Sequence, residues 1–491
     1  MFFPSIEQAK KIIEEDDYKV IPISMEILSD IITPIGVLKI LKNKSKNCFI
    51  LESMENLENW GRYTILGFDP TLEISCENNF LSIKGYKNLT KETDNPKKYI
   101  NQIIAENKSP KMPELPPFTG GLVGYFAYDY ITYIEPSLKS TENQSNGSFK
   151  DVELMLFNEI IVFDNLKAKI FLIVNIKTNN LKEEYEKGMT KLMELKDIIT
   201  NGTPIDENRL RLLDDFKPFL SKKEYSKIVE KAKIHIKEGD IFQVVLSNLI
   251  SCKIDGSLLD VYRILRTSNP SPYMFYFSSE DIEIAGASPE TLVRLQDKEL
   301  YTFPLAGTKP RGKNKEEDER LEKSLLTDEK ELAEHNMLVD LGRNDLGKVA
   351  KFGSIKLEKY LSIERFSHVM HIGSTVFGKL REDKNALDVI DAILPAGTLS
   401  GAPKIKACEI INNLEANKRG IYGGAIGYIS LSGNMDTCIA IRIAFAKNNK
   451  IFVRSGAGIV ADSVPELEFE ESTNKAKAIL NAIKLAENMS A

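Results

Sequence analysis

Cysteine is scarce in this chain, and the few cysteines present are not arranged for metal binding or for a disulfide framework. Five of them are scattered through 491 residues, without a single CxxC pair. An odd, dispersed set is typical of free thiols in a reducing compartment. The first residues, Met1 to Asp17, also lack the apolar core of a signal peptide. The sequence therefore predicts a cytoplasmic protein.

Long apolar runs and an excess of positive charge are also missing. Runs such as Ile170–Val174 fall far short of the roughly 20 residues that a membrane helix needs. The chain has 65 Lys and Arg against 71 Asp and Glu, which gives a net charge of −6. A mildly acidic chain has no general attraction for nucleic acid or anionic membranes. We expect neither partner, so an anionic ligand must meet positive charge local to its site.

Several common catalytic motifs are absent. The chain has no Walker loop, no dinucleotide-binding GxGxxG before a helix and no GxSxG nucleophile elbow. Its four histidines form neither HExxH nor HxxEH, which argues against a zinc site. The GxCxG motif of a glutaminase is missing as well. Any ammonia taken from glutamine must therefore come from another chain.

The chain does contain many strand-like runs and several helical ones, without a strict βαβ rhythm. Runs rich in β-branched and aromatic residues, Val37–Leu41 among them, predict strands in the first half. Helical periodicity predicts helices over Lys222–Glu238, around Glu316–Leu341 and over Val464–Asn488. We therefore predict an α+β fold in which large antiparallel β-sheets form a sandwich-like core and helices pack outside them.

Composition divides the chain into two parts. Residues 1–200 form an N-terminal part, with a polar, turn-rich segment near 136–150 that predicts an exposed loop. Residues 201–218 have the composition of a linker, and residues 219–491 form the second part. Most of the chain's distinctive motifs lie in that second part.

Two pairs of glutamates stand out. Glu331 and Glu334 are three residues apart in one predicted helix, and Glu468 and Glu471 are three apart in another. This spacing places both members of a pair on one helix face. Carboxylates from two helices can form an oxygen-rich site for Mg²⁺. The alternative is that each pair is a solvated helix face.

Glycine-rich segments punctuate the second part and are flanked by arginines. Each segment is typical of a turn, but together they offer accessible backbone N–H groups, which carboxylate binding requires. Arg442 and Arg454 lie in strand-like runs beside them. Each arginine either binds a substrate carboxylate or forms an internal ion pair. The segments include Ala306–Thr308, Gly397–Thr398, Gly423–Gly424 and Ser455–Gly458.

The string HVMH places His368 and His371 three residues apart beside a strand-like run. Histidine suits general base catalysis near neutral pH. One of the two is expected to be a packed core residue, and the other is a candidate base.

Ten segments in one order give the chain a resemblance to a known family. It resembles the large subunit of anthranilate synthase (component I), a chorismate-utilising enzyme. The segments are FILES (49–53), GDIFQVVLS (239–247), SNPSPYMFY (268–276), GASPETLVR (286–294), FPLAGTKPRG (303–312), ELAEHNMLVDLGRND (331–345), VMHIGS (369–374), PAGTLSGAPK (395–404), YGGAIGY (422–428) and RSGAGIVADSVPELEFEES (454–472).

The resemblance implies a reaction, a cofactor and partners. Chorismate and ammonia are converted to anthranilate and pyruvate, the first committed step of L-tryptophan biosynthesis. The implied cofactor is Mg²⁺, held by Glu334 and Glu471 with support from Glu331 and Glu468. A glutamine amidotransferase subunit supplies the ammonia, so we expect a hetero-oligomer. Residues 219–491 then form the chorismate-binding catalytic domain.

The resemblance also implies roles for individual residues. Glu290 is the implied general acid for the C4 hydroxyl, His371 the base, and Thr398 part of the pocket wall. Lys475 either neutralises substrate charge or pairs with Glu471 one turn away. The residues implied to surround the substrate are Gln243, Ala306, Gly307, Thr308, Tyr422, Arg442, Gly456, Gly458 and Lys475.

Two positions indicate which member of the family this is. Gln243 stands where water-adding relatives carry a lysine, and glutamine cannot activate water as a base. Ala306 stands where many aminodeoxychorismate synthases carry a nucleophilic lysine. Both residues favour ammonia as nucleophile and anthranilate as product. The aminodeoxychorismate synthase large subunit, of the folate pathway, is the alternative.

The N-terminal part carries the implied feedback site. Its FILES string resembles the family's tryptophan-binding element, and NPSPYMF resembles the opposite wall of that pocket. We therefore expect L-tryptophan to inhibit the enzyme, with Trp60, the single tryptophan, close by in sequence. The implied regulatory residues are Leu51, Glu52, Ser53, Pro272, Tyr273 and Met274.

Overall fold

A computed structural model describes residues 2–54, 61–139, 149–205, 208–365 and 369–489. These residues form two large antiparallel sheets with helices on their outer faces. The predicted α+β sandwich is confirmed. Strands and helices are numbered along the chain.

The first sheet is built from strands of both parts of the chain. Its central pair joins β3 (Cys48–Glu52) to β15 (Tyr273–Ser278). From one edge of the sheet to β3, the strands are β1 (Phe2–Phe3), β2 (Val20–Leu28), β11 (Lys169–Lys177), β10 (Glu159–Asp164) and β4 (Tyr63–Phe68). From β15 to the opposite edge, they are β16 (Glu283–Ser288), β25 (Ile443–Lys447), β26 (Lys450–Ile459), β14 (Gln243–Asp255) and β12 (Arg211–Leu212). Two short strands, β13 (Lys217–Pro218) and β22 (Gly401–Ala402), also pair with β14.

The second sheet is shared in the same way. Here β8 (Gly121–Phe126) pairs with β23 (Ala425–Ser430). From one edge of the sheet to β23, the strands are β19 (Leu305–Pro310), β21 (Val369–Lys379), β18 (Glu299–Thr302), β17 (Thr291–Gln296) and β24 (Met435–Ile439). From β8 to the opposite edge, they are β9 (Val152–Phe157), β5 (Leu72–Glu77), β6 (Phe80–Gly85) and β7 (Leu89–Glu92). In addition, β20 (Lys356–Arg365) pairs with β21.

The helices cover the outer faces of both sheets. In the part of the chain that the structure describes, no helix is both long enough and apolar enough to cross a membrane. They are α1 (Ile6–Ile13), α2 (Pro34–Lys44), α3 (Pro96–Glu106), α4 (Ile131–Ile134), α5 (Leu181–Asn201), α6 (Lys222–Glu238), α7 (Leu259–Ser268), α8 (Lys315–Leu326), α9 (Glu329–Gly347), α10 (Ala386–Ile393), α11 (Gly397–Ser400), α12 (Lys404–Leu414) and α13 (Pro465–Glu487), with 3₁₀ turns at Tyr128–Tyr130 and Pro136–Leu138.

The strand predicted over Val37–Leu41 is wrong, because these residues lie in α2. The Thr33 side chain accepts a hydrogen bond from the Gly36 N–H, and Pro34 occupies the first turn. Both features favour a helix start. The β-branched content of the segment outweighed these signals in the prediction.

The single long helix predicted around 316–341 is two helices, α8 and α9. They meet at Thr327 and Asp328, and the Asp328 carboxylate accepts from the N–H groups of Lys330 and Glu331. An aspartate cap of this kind starts a new helix. The break fixes the direction of α9, which carries the first glutamate pair.

Aromatic side chains fill the space between the two sheets. Phe49 of the first sheet meets Phe157 of the second with ring centroids 4.8 Å apart. Phe275 and Phe445 belong to the same cluster and are fully buried. Burying one such ring contributes about 2–3 kcal/mol relative to exposure. This shared core holds the two parts of the chain together across both sheets.

Two neighbouring connections cross from one sheet to the other. The first links β16 to β17 and contains Glu290, and the second links β24 to β25 and contains Arg442. The Ile439 N–H donates to the Glu290 carbonyl at 2.9 Å, and the Ala287 N–H donates to the Arg442 carbonyl at 3.1 Å. These bonds place an acidic and a basic side chain side by side at the crossing.

Candidate active site

Arg442 is held in an unusual backbone conformation at this crossing. Its φ of 51° lies in the left-handed region, which residues other than glycine rarely adopt. Such conformations persist where surrounding structure imposes them, and they concentrate at functional sites. The guanidinium is largely buried, and this burial lowers its pKa while nearby Glu290 raises it. Arg442 is therefore a cation shielded from water and set beside a carboxyl group.

Glu290 has the properties of a general acid. Burial raises its pKa to about 7, although the Thr398 hydroxyl, Arg442 and Lys475 oppose that shift. Thr398 Oγ1 donates to Glu290 Oε1 at 3.0 Å. A carboxyl group with this pKa is substantially protonated near neutral pH. The structure thus brings together Glu290, Thr398 and Arg442.

His371 lies on β21 with its ring oriented by the segment containing Gly307 and Thr308. Its Nδ1 is 2.8 Å from the Gly307 carbonyl and 3.2 Å from Thr308 Oγ1. Because a carbonyl only accepts, Nδ1 carries the hydrogen and Nε2 has the lone pair. Burial lowers the pKa of His371. The imidazole is therefore neutral near pH 7 and able to act as a base.

Gly307 lets this segment approach the first glutamate pair. Its φ of +64° is in the left-handed region, and a Cβ there would lie 3.0 Å from Glu331 Oε2 and 2.9 Å from Leu325 Cδ1. Glycine alone avoids both the steric conflict and the backbone strain. The tight fit connects the His371 environment to α9.

The four glutamates of α9 and α13 are brought within electrostatic reach of one another. Burial raises the pKa of Glu334, and Glu331 and Glu471 raise it further. Burial and Glu471 also raise the pKa of Glu468. Lys475 Nζ lies 2.7 Å from Glu471 Oε1, so the pair one turn apart is formed. Lys330 and Lys475 both oppose these shifts, so two lysines face the four glutamates.

This donor set suits Mg²⁺. All four side chains offer carboxylate oxygens, and the raised pKa values show negative charge that a divalent cation would offset. Magnesium keeps several waters or substrate oxygens as ligands, so only one or two carboxylates need to bind it directly, and the others can bind it through water. Among the described residues, only His235, Glu238 and Asp240 place three ligand atoms within 4.8 Å. That group mixes nitrogen and oxygen at the end of α6, apart from the glutamates.

Close backbone approaches shape the other wall. A Cβ on Gly458 would lie 2.6 Å from Gln243 Nε2, and one on Gly456 would lie 2.5 Å from the Leu246 carbonyl. Gln243 is buried at the start of β14, and Ala306 is buried on β19 opposite Ile372 of β21. Gln243 therefore offers a buried amide and Ala306 a buried methyl group.

Tyr422 is buried above a charged group that sequence reasoning missed. Burial raises its pKa to about 12. Beneath it the Arg419 guanidinium lies 6.0 Å from the ring centroid and forms an ion pair with Glu415. Arg454 Nη1 approaches the same Glu415 carboxylate at 3.5 Å, so it forms an internal ion pair. The closeness of charged residues to the YGGAIGY string was the available sequence signal.

A separate cavity of about 110 Å³ lies between the sheets where β3 meets β15. Trp60 and His368 lie outside the described residues. All six residues predicted for the regulatory pocket line this cavity: Leu51, Glu52, Ser53, Pro272, Tyr273 and Met274.

The side chain of Glu52 points away from the cavity. Its carboxylate accepts hydrogen bonds from Tyr262 and from Arg266, whose Nη2 is 3.0 Å from Oε2. Glu52 alternates with Leu51 along β3, and only Leu51 packs in the core between the sheets. Glu52 thus fixes α7 behind the wall, while its neighbours face the cavity.

Tyr273 connects the cavity to the crossing. Its hydroxyl lies 3.0 Å from Thr291 Oγ1 and donates to Asp436 Oδ1 at 2.8 Å. Thr291 directly follows Glu290, and Asp436 shares β24 with Ile439, which binds the Glu290 carbonyl. Two short paths therefore connect Tyr273 to Glu290.

Known proteins share both the sequence and the fold. Residues 46–481 match the family described as chorismate binding enzyme. The chain is 45% identical over 495 residues to anthranilate synthase component 1 of Acetivibrio thermocellus, covering 99% of each. It is 44% identical over 481 residues to the component 1 of Pseudomonas aeruginosa, covering 96% of this chain and 97% of that one.

Solved structures extend the comparison. Anthranilate synthase component I from Streptococcus pneumoniae TIGR4 superposes with a TM-score of 0.74 at 37% identity, covering 92% of this chain and 98% of that one. The isochorismate synthase MenF from Escherichia coli, at 18% identity, covers 98% of this chain and 99% of its own with a TM-score of 0.70, and it shares the fold. The chain therefore belongs to the chorismate binding enzymes, in the family of anthranilate synthase component 1.

Proposed function

We propose that this protein is a lyase that converts chorismate and ammonia to anthranilate and pyruvate. The observation that carries the proposal is the buried Glu290 carboxyl, with its pKa near 7, hydrogen-bonded to Thr398 and facing Arg442. A hydroxyl is a poor leaving group, so its departure needs a proton donor. The relatives named above supply the substrate class.

The reaction proceeds in two stages at this site. Ammonia forms a bond to C2 of chorismate, the ring double bonds shift, and the C4 hydroxyl leaves as water with the proton from Glu290. His371 then removes the C2 proton through Nε2, and the C–O bond to the enolpyruvyl group breaks. The departing enolpyruvate takes up a proton at its methylene carbon and becomes pyruvate. The remaining ring is aromatic anthranilate. The buried Glu290 and His371 are suited to these opposite proton transfers because one is protonated and the other neutral near pH 7.

Positive charge for the anionic substrate is local, although the chain is acidic. Arg442 and Tyr422 are placed to bind the enolpyruvyl carboxylate, aided by backbone N–H groups near Gly456 and Gly458. Glu334 and Glu471 would hold Mg²⁺, with Glu331 and Glu468 beside them. When bound, the metal supplies a positive charge that offsets the repulsion between a substrate carboxylate and these glutamates.

The nucleophile follows from two side chains. Gln243 offers an amide rather than a base at the wall where water would be activated, and Ala306 offers no amine for a covalent adduct. Ammonia is therefore the nucleophile. Its source is a glutamine amidotransferase subunit that forms a hetero-oligomer with this chain, since the chain itself lacks a glutaminase motif.

Regulation by L-tryptophan belongs to the same proposal. The cavity at the β3–β15 junction combines apolar walls with polar groups such as Ser53 and Tyr273, as an aromatic amino acid requires. Bound tryptophan would bias the position of Tyr273 and thereby Glu290, which is coupling between distinct sites. Each of the five cysteines is a buried thiol, which supports a cytoplasmic location.

Product analysis tests the proposal. The full chain is incubated with chorismate, MgCl₂ and ammonium chloride, and products are separated by chromatography with fluorescence detection. Anthranilate is the expected product. Aminodeoxychorismate without anthranilate would instead assign the alternative activity, and isochorismate would contradict ammonia as nucleophile.

A further inference from the structure

A buried ion pair lies directly beneath the proposed substrate site. The side chains of Arg419 and Glu415 are 1% and 2% exposed, and the two residues lie four positions apart in the segment that follows α12. Arg419 Nε donates to Glu415 Oε2 at 2.9 Å, and Nη2 donates to Oε1 at 2.6 Å. A bidentate pair of this kind fixes the plane of the guanidinium.

The remaining donors of Arg419 reach two other segments. Nη1 donates to the Leu399 carbonyl at 2.5 Å, and Nη2 donates to the Val245 carbonyl at 2.6 Å. Leu399 follows Thr398, and Val245 lies two residues after Gln243 on β14. We propose that Arg419 is a positioning residue for the reaction, which holds the turn carrying Thr398 and the strand carrying Gln243 in place around the substrate.

The turn that carries Thr398 depends on such an external bond. Its helix, α11, spans only Gly397–Ser400, so it has little internal hydrogen bonding of its own. Arg419 also packs against the Tyr128 ring at 4.5 Å and lies beneath Tyr422. One guanidinium therefore contacts three elements that surround the substrate.

Glu415 ties this arrangement more firmly to β14. Its Oε1 accepts from the Ser247 N–H at 2.7 Å and from the Ser247 hydroxyl at 3.0 Å. Lysine could keep the charge of Arg419, but its single nitrogen cannot reach the carboxylate and both carbonyls in the same geometry. The planar fork of arginine is what the three segments require.

The test rests on the proposed function and uses a double-mutant cycle. Arg419→Lys, Thr398→Val and the double variant are compared with the wild-type chain for kcat and for the KM of chorismate, with ammonium chloride and MgCl₂. Arg419→Lys is expected to lower kcat about tenfold or more and to change KM less than about threefold. Because Arg419 acts through Thr398, the double variant should be no slower than the slower single variant.

Arg454→Lys is the matched control. Arg454 is buried and approaches the same Glu415 carboxylate, but its other bonds go to Asn417 and Lys418, away from the Thr398 turn. Its kcat should stay within about twofold of wild type. A kcat loss in Arg454→Lys equal to that in Arg419→Lys would overturn the inference, because burial of charge alone would explain both.

Two further results would overturn it: a wild-type kcat in Arg419→Lys, or losses that multiply in the double variant. If Arg419→Lys does not fold, Ser247→Ala replaces it, since it loosens the Glu415 anchor and leaves the guanidinium intact. That variant should lower kcat about threefold, and an unchanged kcat would contradict the proposal. A wild-type chain that forms no anthranilate would overturn the proposed function and not this positioning role.

Discussion

The pKa values of two buried side chains are shifted in opposite directions by the same physical cause, which is burial. Burial disfavours the charged form of each, so it raises the pKa of Glu290 to about 7 and lowers the pKa of His371. Near neutral pH one is therefore an acid and the other a base. Glu290 and His371 could be named from their motifs, but the sequence does not show the burial that sets their protonation.

The Thr398 hydroxyl controls where the rate falls as pH rises. It stabilises the charged form of Glu290, so Thr398→Val should raise the pKa of Glu290 above its value of about 7. The protonated acid then persists to higher pH, and the alkaline limb of kcat/KM should move upward. Rates are measured from pH 6 to 9 and corrected for the concentration of free ammonia. Thr398→Ser keeps the hydroxyl and should retain the wild-type limb, while a downward shift in Thr398→Val would contradict the assignment.

Glu334→Gln tests the proposed metal site. Removing one carboxylate charge should raise the Mg²⁺ concentration for half-maximal rate by about tenfold or more. The measurement is a titration of anthranilate formation with MgCl₂ at saturating chorismate. Glu329→Gln, at an exposed position on the same helix, should leave the titration unchanged. An unaltered titration in Glu334→Gln would remove this residue from the metal site.

At the scale of elements, the candidate site lies where two connections between consecutive strands cross from one sheet to the other. The motifs containing Glu290 and Arg442 were visible in the sequence. The structure divides the residues around Arg442 between β24 of the second sheet and β25 of the first. Alternation along a strand indicates which residues are buried but not which sheet receives them. The crossing could not be predicted for that reason.

Gly307→Ala tests the close approach of the β19 segment to α9. The added Cβ would meet Glu331 and Leu325 at 3.0 and 2.9 Å in a left-handed backbone. We expect a kcat at least about tenfold lower, because displaced Gly307 no longer orients His371. Gly353→Ala is the control, since its left-handed φ of +72° imposes similar strain with nothing within 4 Å of the added carbon. Equal activity losses in both variants would indicate strain alone.

Tyr273→Phe tests the path between the cavity and the crossing. The variant keeps the aromatic wall but loses the hydroxyl bonded to Thr291 and Asp436. We expect the tryptophan concentration for half inhibition to rise about fivefold, the effect of one lost hydrogen bond. Tyr63→Phe, at another wall of the cavity, should change it less than about twofold. Unchanged inhibition in Tyr273→Phe would exclude this path.

At the scale of the whole molecule, the two parts of the chain are interlocked. Composition predicts a linker over residues 201–218 between the two parts. In the structure, strands of both parts pair in both sheets, and β12 and β13, which lie within the predicted linker, join the first sheet. Non-local pairings of this kind leave no local signature in a sequence. They place the proposed tryptophan cavity at the junction of the two parts, between the two sheets that the chain crosses at Glu290 and Arg442.

The most direct test of the account is the stoichiometry of the reaction catalysed by the full chain alone with ammonium chloride and MgCl₂. Chorismate loss, anthranilate and pyruvate are measured together, in the wild type and in Glu290→Gln. We predict one anthranilate and one pyruvate for each chorismate consumed by the wild type, and a rate at least about a hundredfold lower in Glu290→Gln. Chorismate consumed without anthranilate, or a Glu290→Gln variant as fast as the wild type, would contradict it.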